Sequence, residues 1–303
     1  MAISLEGGYV PEWSPPYRGG SGAGTPDAGE VAMGTGIVAG LWMVGILRTI
    51  SPIAADTPTV RLDAAQLAKR LAAASETSPP DLARVDLAGL DLTGVDFKRA
   101  NLSGARLAGA KLAGANLFSC DLTDAVASDA VLTKANMDGT VLRGADFQRA
   151  NMEGASLFAT ILEKTNLAGA NLAGTRLIGY LRSANLAGAS LKNSNAGADP
   201  GNQSMGVMRA TFVGADLSGA DLSGANLYKA DFSHANLTGA RLQGANLENA
   251  DLVQTDFSRA DLTGARLAKS NIEGASFRGA TGVSKTQGLD QARNRNKAIF
   301  DAQ

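Results

Sequence analysis

Large apolar residues recur every five positions along most of the chain. They occupy this central position without a break from Leu87 to Leu122 and from Phe212 to Phe277. Ala usually lies two residues before the centre, and Gly often lies two residues after it. A period of five fits neither the 3.6-residue turn of a helix nor the two-residue alternation of a strand. The pattern predicts a chain that turns a corner every five residues, with the central residue and the Ala pointing inward.

Two interruptions of the period are informative. Leu181, Leu186 and Leu191 keep the spacing but lie one residue early, so the register is lost at Gly179-Tyr180. The segment 195–208 lacks the motif and carries Pro and Gly, which are typical of loops. We therefore expect one shortened side, followed by a loop that extends from a single coil.

The repeats "ADLSG", "ANLTG" and "ADLTG" resemble the pentapeptide-repeat family, whose motif is A-(D/N)-L-x-x. The resemblance implies an all-β solenoid, namely a right-handed quadrilateral β-helix with four repeats per coil over residues 85–281. It also implies roughly nine coils and, at about 4.8 Å between neighbouring strands, a rod roughly 45 Å long.

The flanking segments differ from the repeats in composition. Residues 1–30 are rich in Gly, Pro and Ser and predict a flexible tail. Residues 51–84 predict a linker and a capping helix, and residues 282–303 predict a C-terminal capping helix. Caps of this kind keep a solenoid from stacking into fibres.

Residues 31–50 predict a transmembrane helix. Val31–Leu47 carries no charged side chain, and a membrane span needs roughly 17–25 such residues. A signal peptide cleaved after Ile53-Ala54-Ala55 is the alternative. Ala32, Gly36 and Gly40 are spaced by four, which favours close packing against another membrane helix.

These features predict a single-pass protein of a bacterial inner membrane. Four basic residues follow the apolar segment: Arg48, Arg61, Lys69 and Arg70. By the positive-inside rule they favour a cytoplasmic repeat domain. An N-terminal signal anchor favours the opposite side, and "DLAGLDLTGVDFKRANL" is similar to the starts of exported family members. We predict a periplasmic repeat domain.

Candidate catalytic residues are few. His234 lies two after a centre with no metal-ligand partner nearby in sequence, and Cys120 takes an inward position usually held by Ala. The recurrent Asp residues follow the motif rather than forming a dyad, and no phosphate loop or Cys/His set occurs. The sequence predicts no enzyme, no cofactor, no metal site and no small-molecule substrate.

The net charge of −1 argues against nucleic-acid binding. We expect a membrane-anchored scaffold or accessory subunit that presents its rod to a protein partner. The family resemblance implies an alternative, a DNA mimic that inhibits a DNA-binding enzyme such as gyrase. Mimicry requires a continuous acidic stripe on the rod.

One column of outward positions holds mainly apolar residues, whereas most outward positions of the repeats are small or polar. With residues 20 apart stacked on one another, Phe118, Phe158 and Ile178 align beside Asp138. Around the next corner lie Val141 and Ile161, and Tyr180 is close by. We predict an apolar ridge at a protein interface, formed by Phe118, Val141, Phe158, Ile161, Ile178 and Tyr180.

Overall fold

A computed structural model of the protein describes residues 60–75, 77–198 and 208–301. Residues Met1–Ala55 lie outside the described ones, and the described residues belong to the second of the two units into which the chain divides, Asp56–Gln303. In the second unit, single parallel bridges join residues 20 apart, as from Asp81 to Asn101 and from Asn101 to Asp121. Because a five-residue repeat fits four times into this step, each regular coil has four sides.

Each repeat uses its five positions in the same way. The central Leu222 and the Ala220 two residues before it are fully buried, as predicted. The residue two after the centre, which we call the corner residue, has a positive φ, with 64° at Gly219 and 59° at Asn249. The Leu222 N–H donates to the next coil (2.7 Å), and the Asp221 N–H donates to the preceding one (2.9 Å). The backbone of the wall is therefore paired on both sides.

The register change lies where the sequence predicts it. Strand β1, Ser156–Ile161, pairs in parallel with strand β2, Arg176–Tyr180. Phe158 is opposite Ile178, but Thr160 is opposite Gly179, so Ala159 has no counterpart in β2. Gly is required at position 179, because a Cβ there would lie 2.5 Å from the Thr160 carbonyl oxygen. The shortened side thus draws β2 tightly against β1.

The next coil is longer than the others. Tyr180 bridges to Thr211 and Asn195 bridges to Asn226, a separation of 31 residues instead of 20 in both pairs. The additional residues fall between Asn195 and Thr211, where the sequence predicts a loop.

A short helix covers the N-terminal end of the core. Helix α1, Ala64–Ala72, begins after Asp63, whose carboxylate accepts the Gln66 N–H in a capping box. Its apolar face buries Leu67 and Leu71 against the first coil. The helix lies within the predicted capping segment 51–84.

The C-terminal end differs from the single capping helix predicted over 282–303. Three 3-10 turns are present there instead: Val283–Lys285, Leu289–Gln291 and Arg295–Lys297. The residues that bridge back to the preceding coil, such as Gln287 and Arg293, are six apart rather than five. Each side of the last coil has one extra residue, and a 3-10 turn accommodates it.

The structure corrects the predicted membrane location. Within residues 60–75, 77–198 and 208–301, no helix is long and apolar enough to cross a bilayer. The segment 31–50, with Ala32, Gly36 and Gly40, lies outside the described residues. The finding for the described residues contradicts the predicted location, a single-pass inner-membrane protein with a periplasmic repeat domain.

Candidate protein-interaction surface

The two residues considered for catalysis lie in unsuitable settings. Cys120 is fully buried, and this burial raises the pKa of its thiol to about 12, so the thiolate is absent at neutral pH. His234 is a corner residue with φ 60°, and its backbone N–H donates to the Val253 carbonyl (2.8 Å). Across the described part of the chain, no group of His, Cys, Asp and Glu side chains is arranged to hold a metal ion.

The predicted apolar ridge begins at Phe118, whose surface is 47% exposed. Phe118 borders an open groove of about 440 Å³ between the wall and the chain that follows α1. Ser75, Arg99 and Asn116 also line this groove. The Lys98 ammonium fixes one side by donating to the Leu71 carbonyl at the end of α1 (3.1 Å). An exposed ring beside such a groove is suited to contact with another protein.

Asp138 and Arg176 modify the middle of the ridge. The Asp138 carboxylate accepts hydrogen bonds from the Ser156 hydroxyl and from the Phe158 N–H (2.9 Å). The Arg176 guanidinium carbon lies 3.9 Å from the centroid of the Phe158 ring and its nitrogen 4.0 Å from Asp138. One face of Phe158 is therefore covered by a cation, and the surface here is mixed rather than purely apolar.

Ile178 does not contribute to the exposed surface. It is only 1% exposed, in contrast to its predicted outward position beside Phe158. Ile178 lies in β2 directly before the shortened step at Gly179. The sequence spacing indicates the column correctly, but it does not predict that Ile178 is buried at this step.

The other predicted residues continue the surface around the corner. Val141 and Ile161 are half-buried and bridge one another in neighbouring coils. Tyr180 ends β2 opposite Ile161 and is 52% exposed. We call this surface the aromatic patch and define it by its six members: Phe118, Val141, Phe158, Ile161, Arg176 and Tyr180.

Tyr228 extends the same column beyond the loop. It is half-buried, and its carbonyl accepts the Ala198 N–H (2.7 Å). Sequence reasoning missed it because the shortened side and the long coil shift the 20-residue spacing before this point. From Arg176 through Asn195 to Asn226 two coils span 19 and 31 residues, so counting in steps of 20 does not reach Tyr228 from Ile178.

Charges elsewhere on the described wall are interspersed. Ion pairs join neighbouring coils, as between Arg149 and Asp129 (2.7 Å) and between Arg143 and Glu163 (3.2 Å). The column that contains Asp121 continues with Val141 and Ile161 instead of further carboxylates. The acidic stripe that DNA mimicry requires is thus interrupted here.

Asp221 forms a buried ionic contact across three coils. The residue is 4% exposed, and its carboxylate pairs with Lys192 (3.2 Å) in the preceding coil and with Arg241 (3.0 Å) in the next one. Burial alone raises the pKa of Asp221, but hydrogen bonds from Ser223, Lys192 and Arg241 outweigh this effect and lower it to about 2. The ionised carboxylate therefore stabilises the stack.

We expect Asp221→Asn to lower the free energy of unfolding by about 2 kcal/mol at neutral pH. Because the folded pKa of about 2 lies below the ordinary value of 3.8, this contribution is present above 3.8 and is lost as the pH falls towards 2. Denaturant titrations of both proteins at neutral pH and near the folded pKa measure the difference, which should shrink at the lower pH.

Asp129→Asn is the matched control. Asp129 pairs with Arg149 at the surface, where both side chains are more than half exposed. Solvent screening makes such pairs weak, so this variant should unfold almost like the wild type. A loss in Asp221→Asn that stays constant across the pH range would contradict the assigned role of the Asp221 charge.

Comparison with known proteins gives one consistent family. The model for pentapeptide repeats matches eight copies, over residues 81–117, 120–157, 150–179, 208–244 and 240–279. HetL, a pentapeptide repeat protein involved in heterocyst differentiation regulation in the cyanobacterium Nostoc sp. strain PCC 7120, is 29% identical with a TM-score of 0.52. The match covers 78% of this chain and 99% of HetL.

Two further solved structures resemble the chain more weakly. QnrB1, a plasmid-mediated fluoroquinolone resistance protein, is 19% identical over 70% of this chain and 90% of its own, with a TM-score of 0.33. Rfr23, from the cyanobacterium Cyanothece 51142, is 23% identical over 40% of this chain and 64% of its own, with a TM-score of 0.23. No curated protein matches the chain significantly.

Proposed function

The chain belongs to the pentapeptide-repeat family, and on this basis we propose that it is a non-enzymatic scaffold that presents its coils to a protein partner. The single observation that supports this function is the aromatic patch. Phe118 and Tyr180 are 47% and 52% exposed on a wall whose outward positions are mostly polar. We further propose that the stack comprises roughly nine coils, because the bridges that lead from Asp86 to Ser276 pass through nine steps from coil to coil. At about 4.8 Å per step, the rod is roughly 45 Å long.

The composition of the aromatic patch favours a protein partner. Phe118 and Tyr180 supply large side chains with few rotatable bonds, which lose little entropy when they bind. Arg176, held over Phe158, adds hydrogen-bond donors beside the rings. Aromatic residues and Arg are the side chains that most often dominate protein–protein interfaces.

HetL supports a role of this kind. Its described involvement is in the regulation of heterocyst differentiation, and the match spans almost all of its length. A partner's membrane helix, which was predicted to pack on Ala32, Gly36 and Gly40, is not part of this proposal, because it depends on the membrane location that is corrected above. The column that is interrupted after Asp121 gives DNA mimicry no comparable support.

The proposal is tested by Phe118→Ser combined with Tyr180→Ser in the full chain. We expect a partner that co-purifies with the wild type to be recovered about tenfold less or worse with the double variant. The melting temperature should change little, because neither ring lies in the core. Quantitative mass spectrometry of the co-purified protein and light scattering of the isolated chain measure partner binding and self-association.

Val126→Ser is the matched control, since Val126 is 38% exposed on a wall position away from the aromatic patch. It should leave partner recovery unchanged. Equal recovery with the wild type, the double variant and the control would overturn the assignment of the aromatic patch as the docking surface.

A further inference from the structure

Opposite charges usually face one another between neighbouring coils. Arg149 pairs with Asp129 and Arg143 pairs with Glu163, as described above. In the same way, Arg266 lies 2.6 Å from Glu248. A groove of about 590 Å³ on the C-terminal half departs from this arrangement, because four of its six lining residues are cationic. Its lining residues are Arg209, Lys229, Asn249, Asp251, Lys269 and Arg293.

The two arginines donate hydrogen bonds to the main chain that borders the groove. Arg209 donates to the Lys229 carbonyl (3.0 Å), and Arg293 donates to the Lys269 carbonyl (3.1 Å). Both also pair with Asp251, at 3.2 Å and 3.7 Å. The arginines are therefore engaged within the protein, and each fixes the main chain of one lysine.

The two lysines are differently placed. Lys229, Asn249 and Lys269 are corner residues of successive coils with φ values of 60°, 59° and 60°, so their side chains leave the wall in the same direction. With about 4.8 Å between coils, the lysines stand about 10 Å apart with the Asn249 amide between them. The Lys229 ammonium lies 5.3 Å from the centroid of the Tyr228 ring, whereas no hydrogen bond or ion pair within the described ranges involves the Lys269 ammonium or the Asn249 side chain.

The charge in the groove is unbalanced. Arg209, Lys229, Lys269 and Arg293 contribute four positive charges, and Asp251 with the Arg209-bound Asp231 contributes two negative ones, which leaves +2. Ammonium groups about 10 Å apart repel one another weakly, and most at low salt, so this arrangement costs a little stability rather than adding to it. A dianionic ligand would balance the charge.

We propose that Lys229, Asn249 and Lys269 form a binding site for a phosphate group. The two ammonium groups would donate to phosphate oxygens from either side, and the Asn249 NH₂ would donate from the floor. Lys binds phosphate as a compact point charge, which suits a tetrahedral anion without a fixed orientation. The site takes inorganic phosphate or a phosphorylated side chain of another protein.

The test compares the full chain with Lys229→Gln combined with Lys269→Gln. Inorganic phosphate at constant ionic strength should raise the melting temperature of the wild type and bind at least about tenfold more weakly to the double variant. Lys134→Gln with Lys164→Gln is the matched control, because both are exposed corner residues with φ of 57° and 58°. An equal response of the three proteins, or no response of the wild type, would overturn the site.

A second measurement separates binding from a structural role. Without phosphate and at low salt, the Lys229→Gln and Lys269→Gln variant should melt at the same temperature as the wild type or higher, because repulsion is relieved. A clearly lower melting temperature would mean that the lysines serve the fold and would overturn the proposal.

The source of the phosphate group is distinguished by calorimetry with inorganic phosphate and with a phosphoserine peptide. Tighter binding of the peptide supports the site and indicates a phosphorylated partner. Tighter binding of the free ion supports the site and indicates a small-molecule ligand. A short single-stranded oligonucleotide that binds the wild type more tightly than either probe would overturn the assignment to a single phosphate group.

Discussion

Leu222→Asp is expected to abolish folding of the repeat domain. Leu222 is fully buried at a central position, and its N–H is already paired with the Arg241 carbonyl (2.7 Å). An aspartate there loses the buried leucine contacts and brings an ionised carboxylate among Leu and Ala side chains that cannot pair with it. The combined cost is on the order of the whole stability of a domain. Circular dichroism and thermal melting of the purified chain measure the loss.

Ala168→Asp is the matched control for this change. Ala168 is the half-exposed residue after the centre Leu167, so the same carboxylate points to solvent. The control should be soluble and melt close to the wild type. A Leu222→Asp protein that remains soluble, melts cooperatively and keeps its circular dichroism spectrum would refute the inward assignment of the central residues.

Most of the fold follows from the sequence because the solenoid is governed by local rules. The five-residue period places Leu222 and Ala220 inward, and both are fully buried. The one-residue loss at Gly179 appears as the unmatched Ala159 between β1 and β2. Family membership confirms the right-handed β-helix, and each coil contacts only the coils next to it, so one rule repeats along the stack.

The ends of the stack are less predictable. The segment 282–303 contains Leu289, Ile299 and Phe300 at spacings that suit a helix, yet it forms a coil with six-residue sides. Phe300 stacks on Phe277 with the ring centroids 5.0 Å apart, which favours a further coil over a separate helix. Helical periodicity in a short segment does not reveal this competition.

The candidate surfaces are predictable only in part, because side-chain partners depend on exact register. Column counting finds Phe118 and Tyr180, but it cannot show that Arg176 covers Phe158 or that Ile178 is buried. The cluster of cations around Lys229 and Lys269 cannot be predicted from the sequence for a similar reason. The overall net charge of −1 averages over local imbalances, so the excess of +2 around Lys229 and Lys269 leaves no trace in composition.

Phe232→Ala is expected to lower the free energy of unfolding by about 3–5 kcal/mol. Phe232 is fully buried, and its ring stacks on Phe212 with centroids 4.5 Å apart and planes 7° from parallel. Truncation leaves a cavity and removes this ring contact, and the regular wall has little freedom to collapse because its backbone is paired on both sides. Denaturant unfolding of the full chain measures the change.

Phe232→Leu is the matched control, because Leu252 fills the equivalent central position 20 residues further along. A leucine restores most of the volume, so the loss should stay below about 1.5 kcal/mol. Since each coil contacts only its neighbours, hydrogen exchange in Phe232→Ala should accelerate most between Phe212 and Leu252 and least near Leu102. Equal stability of the Ala and Leu variants would mean that the stacked rings do not determine the packing of this half of the rod. Uniform acceleration of exchange along the chain would mean that the coils unfold as one unit rather than as coupled neighbours.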